Sequence, residues 1–235
     1  MRISPLKLSL CLVSGLLCLP LFAQTMKPAT TLFNEVAEVY ANISDYTANV
    51  SIKIDDASMA GVLYFKKASR LRIDFTVPDK QVIVSDGLFL QVYIPKYGVT
   101  LKQQLDPNAG KDQTGGAGLA TPQGLSLLRK GYGIAYKIGP GTVPIDEGAK
   151  GGSAEPVFKL LLNWQNQNQG FRQIELSLTT GKIIRRIEGI TADRKKVRID
   201  FTGIKTNTGI PNNKFDYDAP ADSNVYNTFL YGTTK

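Results

Sequence analysis

The sequence predicts an α+β fold, one large antiparallel β-sheet covered on its apolar face by short helices, and three observations lead there. Apolar and polar residues alternate with period two through consecutive segments from Tyr46 to Pro95 and again from Val157 to Ile204. Turn residues separate these segments at hairpin spacing: Ser85-Asp86-Gly87, Thr180-Gly181 and Ala192-Asp193. Helical periodicity occurs only near the start of the chain and near its middle. A curved sheet of that size has an apolar face longer than two short helices fill, so an apolar cavity between sheet and helices is expected.

The first 23 residues read as a cleaved export signal. Arg2 and Lys7 precede an apolar run of about sixteen residues, and Ala23 before Gln24 offers a small residue for processing. The run contains Pro20 and falls short of the roughly 20 residues that a membrane span needs. A lipid-modified start at Cys18 is disfavoured by the bulky Leu17 before it. Residues 24–235 are expected to form one domain.

In that domain, Leu32, Phe33, Val36, Val39, Tyr40 and Ile43 share one side of a helix, with Asn34, Glu35, Glu38 and Asn42 opposite. From Tyr46 the period becomes two: Ala48, Val50, Ile52 and Ile54 alternate with Thr47, Asn49, Ser51 and Lys53. Gly61–Lys67 forms the next strand. Leu71, Ile73, Phe75 and Val77 then alternate with Arg70, Arg72, Asp74 and Thr76 until Pro78-Asp79 breaks the run. Two strands flank Ser85-Asp86-Gly87, the second carrying Leu90 and Val92. The stretch 106–120 has no apolar period and reads as a loop, ended by a helix with Thr121 as N-cap, Pro122 at its first position, and Leu125, Leu127 and Leu128 after it. A strand over 132–138, a second glycine-rich loop over 139–156 and four further strands complete the chain.

Composition excludes several chemistries. Histidine is absent, and both cysteines, Cys11 and Cys18, lie in the apolar leader. Imidazole catalysis, thiol nucleophiles, disulfides and thiolate metal sites are therefore not expected in the processed protein. The net charge of +8 falls to +6 with the loss of Arg2 and Lys7. Export removes nucleic acid as a partner for that charge and leaves an anionic lipid surface or an acidic protein face. Lys66, Lys67, Arg70, Arg72 and Arg194, Lys195, Lys196, Arg198 read as solvated strand faces and turns.

The stretch Gly61 to Pro95 resembles the periplasmic lipoprotein carrier family LolA. It has a strand ending in basic residues, an alternating strand, a Pro-Asp break, Val84-Ser85-Asp86-Gly87, and an aromatic-rich strand ending Tyr93-x-Pro95. The helix before Ser44-Asp45-Tyr46, the Thr121-Pro122 helix start and Lys214–Asn227 resemble the family in the same order. The resemblance implies an incomplete, unclosed antiparallel β-barrel closed by short α-helices over a hydrophobic cavity that holds lipoprotein acyl chains on their way to the outer membrane. It implies a monomeric periplasmic chaperone with no catalysis and no cofactor. Its partners would be acylated lipoproteins, an inner-membrane lipoprotein-releasing transporter and an outer-membrane acceptor. Val50, Ile52, Ile54, Leu71, Ile73, Phe75, Leu90, Val92, Leu125 and Leu128 would line the cavity. Lys67 occupies the place of a basic residue, usually arginine, that bonds the helical lid, and lysine lacks arginine's planar fork. Leu71 stands where the family often has phenylalanine.

Three alternatives stand beside this: an envelope-stress sensor of the same half-barrel type, a membrane-anchored acceptor, and a hydrolase using carboxylates such as Asp55-Asp56. Asp216, Asp218 and Asp222 lack the glycine and glutamate of a calcium loop, Gly131-Tyr132-Gly133 lacks dinucleotide-loop spacing, and Ser126 is not in a nucleophile elbow.

Overall fold

The structure is a computed structural model and describes residues 26–105, 116–146, 148, 155–165 and 170–227. The export signal expected over 1–23 lies outside these residues, as do 106–115 of the first loop. Helix α1 (Ala29–Asn42) leads into a meander of six strands: β1 (Asp45–Ile54), β2 (Ala57–Lys66), β3 (Arg70–Val77), β4 (Asp79–Ser85), β5 (Phe89–Ile94) and β6 (Val99–Gln104). A 3-10 turn (Gly116–Ala120) and helix α2 (Pro122–Gly131) follow. Next come β7 (Tyr132–Tyr136), the two-residue β8 (Val143–Pro144), β9 (Pro156–Trp164), β10 (Phe171–Thr179), β11 (Ile184–Thr191) and β12 (Lys196–Thr206). The last strand, β13 (Asn224–Asn227), closes the order.

All strands join one sheet in the order β13-β6-β5-β4-β3-β2-β1-β12-β11-β10-β9-β7, with β8 also on β9. The pairing of β1 with β12 fuses the two meanders, and β13 and β7 remain as separate edges, so the half-barrel is unclosed. Every pair is antiparallel except β13 on β6, which runs parallel. β6 forms where the sequence names no element, and β8 lies within the glycine-rich stretch 139–156.

Two glycines fix local geometry. Gly87 turns the β4–β5 hairpin at φ 96°, where a side chain is strained. Gly61 faces Phe75 at a register shift, and a Cβ there would lie 2.8 Å from the Phe75 Cα, so only glycine lets β2 and β3 approach this closely. Helix α2 starts as its sequence dictates: Thr121 Oγ1 accepts from the Gly124 N–H at 3.1 Å, Pro122 opens the first turn, and Arg129 and Lys130 stand in the last.

Both helices lie on the inner face of the sheet. Leu32, Phe33, Val36 and Tyr40 of α1 and Leu125 and Leu128 of α2 share one buried cluster with the inward residues of β1–β3 and β9–β12. The segment between β12 and β13 crosses the opposite face. There Ile210 O accepts from Lys66 Nζ at 2.6 Å, Lys214 O from Arg72 Nη1 at 3.1 Å and Tyr217 O from Gln91 Nε2 at 3.3 Å. The Lys214 ammonium lies 3.9 Å from the centre of the Tyr64 ring and bonds Asp74. Lys66 and Arg72 thus anchor this segment, where the sequence leads one to expect a free solvated face.

Candidate functional site

The register assigns each expected lining residue to a face. Tyr46, Phe65, Leu71, Ser85 and Leu90 form one row across β1–β5, and Ala48, Leu63, Ile73, Ile83 and Val92 form the next. Val50 pairs with Gly61 and Gly61 with Phe75, while Ile52 and Ile54 pair with Ile199 and Val197 of β12. Because side chains alternate across a strand, these rows share the inner face, and Arg72 and Asp74 point outward. Val50, Ile52, Leu71, Ile73, Phe75, Leu125 and Leu128 are buried in a single cluster, with Ile54 half-buried against it. Leu90 is buried and Val92 half-buried, both beyond that cluster on the β4–β6 wing. The structure therefore brings the two helices and β1–β3 together and leaves the wing less covered.

Among the described residues, a small set of polar contacts joins the helices to the sheet. Tyr40 Oη accepts from the Ile184 N–H at 3.1 Å, fixing α1 to β11. Tyr46 Oη donates to Ala120 O at 2.8 Å, fixing the turn before α2 to β1. The two rings meet edge-on with centroids 6.3 Å apart, and Tyr46 packs on Phe65. Burial raises both phenol pKa values above their ordinary range, so the hydroxyls keep their protons. Lys67 Nζ donates to Ala41 O at 2.6 Å. That carbonyl belongs to the last turn of α1, where helical carbonyls lack partners and a cation is favoured, and α1 has no basic residue of its own there. Glu35 of α1 pairs with Lys182 at 2.6 Å and with Lys27. The Lys182 hydrogen bond, supported by Lys27, holds the Glu35 carboxyl below its ordinary range.

The tyrosine pins and the buried Leu119-Ala120 turn are absent from the sequence-based site. Tyr46 carried a signal: it lies in phase with Ala48 and Val50 on the inner face, and a buried tyrosine hydroxyl needs a partner.

The outer face is chemically different. A cleft of about 560 Å³ lies over β9–β12 and β1, lined by Lys53, Lys159, Glu175, Arg186, Glu188 and Arg198 among others. Arg186 is buried between Asp146 at 2.8 Å and Asp200 at 2.6 Å, and Lys159 pairs with Glu175 at 3.3 Å. These charges neutralise one another and pin β8 and Asp146 to the sheet. Among the described residues, no three His, Cys, Asp or Glu side chains gather as metal ligands.

The family model described as "Outer membrane lipoprotein carrier protein LolA" matches residues 52–113, the stretch that holds Lys67, Leu71, Ile73, Phe75, Leu90 and Val92. An outer-membrane lipoprotein carrier protein from Methylibium petroleiphilum is 27% identical over 212 residues, covering 89% of this chain and 94% of that protein. A second, from Bordetella avium, is 21% identical over 168 residues, covering 72% of this chain and 71% of that one. Among solved structures, an uncharacterized conserved protein from Thermus thermophilus superposes with a TM-score of 0.54 at 14% identity. It covers 85% of this chain and 99% of that one, a likeness of fold alone. By the family match, the two carriers and the unclosed half-barrel, this chain is LolA-like.

Proposed function

We propose that this protein is a periplasmic chaperone that takes lipoprotein acyl chains between its half-barrel and its two helices and carries them from the inner to the outer membrane. The observation that carries the reading is an apolar inner face, covered by two short helices and a handful of polar pins over β1–β3 and β9–β12 and continuing onto the less covered β4–β5 wing. A sixteen-carbon acyl chain exposes about fifteen methylenes, roughly 12 kcal/mol in water, so it does not diffuse free. A carrier recovers that energy through non-directional apolar contact and still releases its load, which calls for a greasy face and a movable cover rather than polar recognition. The helices are closed here, with Phe33, Val36 and Leu125 fully buried, so loading requires them to lift. Lys67 is the residue we assign to lid control, through one bond to the last turn of α1. Residues 1–23 would direct export and 24–235 form the carrier domain. A lipoprotein-releasing transporter would load it and an outer-membrane acceptor unload it, and no reaction is catalysed.

The test measures retention of acylated lipoprotein in a soluble complex by Phe75→Glu and Val92→Glu variants, beside their unfolding midpoints. Phe75 is buried, and an unpaired carboxylate there costs several kcal/mol. Val92 is half-buried, so its variant keeps its fold. Loss of retention by Val92→Glu at an unchanged midpoint supports carriage; retention at the wild-type level in both variants contradicts it.

A further inference from the structure

Loading requires α1 to lift, and α1 can turn only on the residues that join it to β1. The helix closes with Ile43 N–H donating to Tyr40 O at 3.2 Å, and Asp45 already pairs in β1, so the backbone of Ile43 and Ser44 is the hinge. The peptide groups on both sides of Ser44 are held. Its carbonyl accepts from Lys67 N–H at 2.9 Å, a bond made by the β2–β3 turn. Its N–H donates to Asn207 Oδ1 at 2.7 Å, a bond made by the segment that leaves β12 for the outer face.

Asn207 is itself firmly seated. Its N–H donates to Asp45 O at 2.7 Å, and its φ of 56° is the left-handed conformation that asparagine tolerates better than most residues. The next two residues fasten to the Asp45 carboxylate: Thr208 N–H and Oγ1 donate to Oδ1 at 2.7 and 3.0 Å, and Gly209 N–H donates to Oδ2 at 3.1 Å. Asp45 alternates with inward Tyr46, so it points to the outer face, where it is buried beneath this turn. Burial opposes its ionisation, but the bonds from Thr208 and Gly209 outweigh that and hold the carboxyl below its ordinary range. Charge-assisted bonds are roughly twice as strong as neutral ones. The turn 207–209 thus has a strong, buried base on β1 and a single neutral, exposed catch on the hinge.

We propose that Asn207, positioned by Asp45, is a second lid-control residue: it latches the α1 hinge from the outer face, so that α1 lifts only when Ser44 is let go; this rests on the carrier reading above. Lys67 holds the last turn of α1 from the β2–β3 turn, whereas Asn207 holds the hinge itself. A helix of 14 residues lifted from its sheet is marginal in water, so its amides exchange when it lifts.

The experiment follows hydrogen exchange in the cargo-free full chain. N207G keeps the left-handed backbone and removes only the side-chain catch. Amides 36–42 should exchange roughly 2–10-fold faster in it, while amides 171–179 of β10 keep the wild-type rate. D45N, which unseats the turn, should accelerate 36–42 at least tenfold. Asn207 is exposed, so N207G keeps its fold and carries the test even where D45N does not. Q91A frees the far end of the same segment at Tyr217 O and should leave 36–42 unchanged. Wild-type exchange of 36–42 in N207G overturns the proposal, as does equal acceleration of 171–179, which would be global destabilisation. Acceleration by Q91A to the same extent also overturns it, since the whole segment rather than the latch would then be responsible. In a second arm, release of a palmitoylated lipoprotein to phospholipid vesicles should quicken in N207G by the same factor, and an unchanged release rate removes the latch from lid control. A wild type that retains no lipoprotein defeats the carrier reading instead, and the cargo-free exchange still decides whether Asn207 latches α1.

Discussion

Tyr46→Phe removes one oxygen atom from the interior and nothing else. The ring keeps its packing against Tyr40 and Phe65, but Ala120 O, which is buried, loses the donor that sits at 2.8 Å. A buried carbonyl left without its donor costs about 1–3 kcal/mol, a factor of roughly 5–150 in the equilibrium it affects. The cost can be avoided by letting the turn at Gly116–Ala120 lift and find water, and that turn is what seats α2. Gly124 of α2 lies so close to it that a Cβ would stand 2.6 Å from the Leu119 Cα. The perturbation should therefore appear as local opening: hydrogen exchange for amides 125–131 should accelerate by roughly 5–150-fold. Amides of β1 and β12 should change only through global stability. The reasoning fails if exchange across α2 matches the wild type, or if every amide accelerates equally, since the bond would then not be what holds α2 closed.

Further outcomes follow from the other helix. Lys67→Gln should cost about 0.3–1 kcal/mol of α1 protection by removing the cation from its C-terminal turn; hydrogen exchange of residues 36–42 reports it, and Lys67→Arg should restore it. Glu35 has its folded-state pKa lowered by Lys182, so its contribution is fully present above the ordinary carboxylate pKa and lost as pH falls through the lowered value. Glu35→Gln should flatten the acid limb of the unfolding midpoint plotted against pH, and an unchanged acid limb would show that the pairing with Lys182 does not tie α1 down.

Strands buried on one face were the legible part of this fold. Period two at Ala48–Ile54 and Leu71–Phe75 directly encodes which side meets the core, and Thr121-Pro122 encodes a helix start, because each is a local physical requirement. β6 and β13 were not legible for the opposite reason. Val99–Gln104 lies on the partly exposed wing next to a glycine-rich stretch, and the parallel pairing of Asn224–Asn227 with it joins segments far apart in the chain. The lid pins share that difficulty: Tyr46 shows that it needs a partner, but Ala120 is identified only once the turn before α2 folds back over β1. The outer cleft depends on Ile145 and Asp146 returning to the sheet from within a glycine-rich stretch whose composition signals only a loop.

The central claim is that the inner face of β3 and β5, not its outer face, meets the acyl chain. A photo-activatable phenylalanine analogue placed at Phe75 or Val92 and, in separate proteins, at Asp74 or Gln91 tests it directly, since neighbouring positions on one strand face opposite sides. After illumination with a palmitoylated lipoprotein bound, crosslinks to the acyl chain should form from 75 and 92 and be absent from 74 and 91. Crosslinks from the outward positions, or from all four alike, would contradict the account.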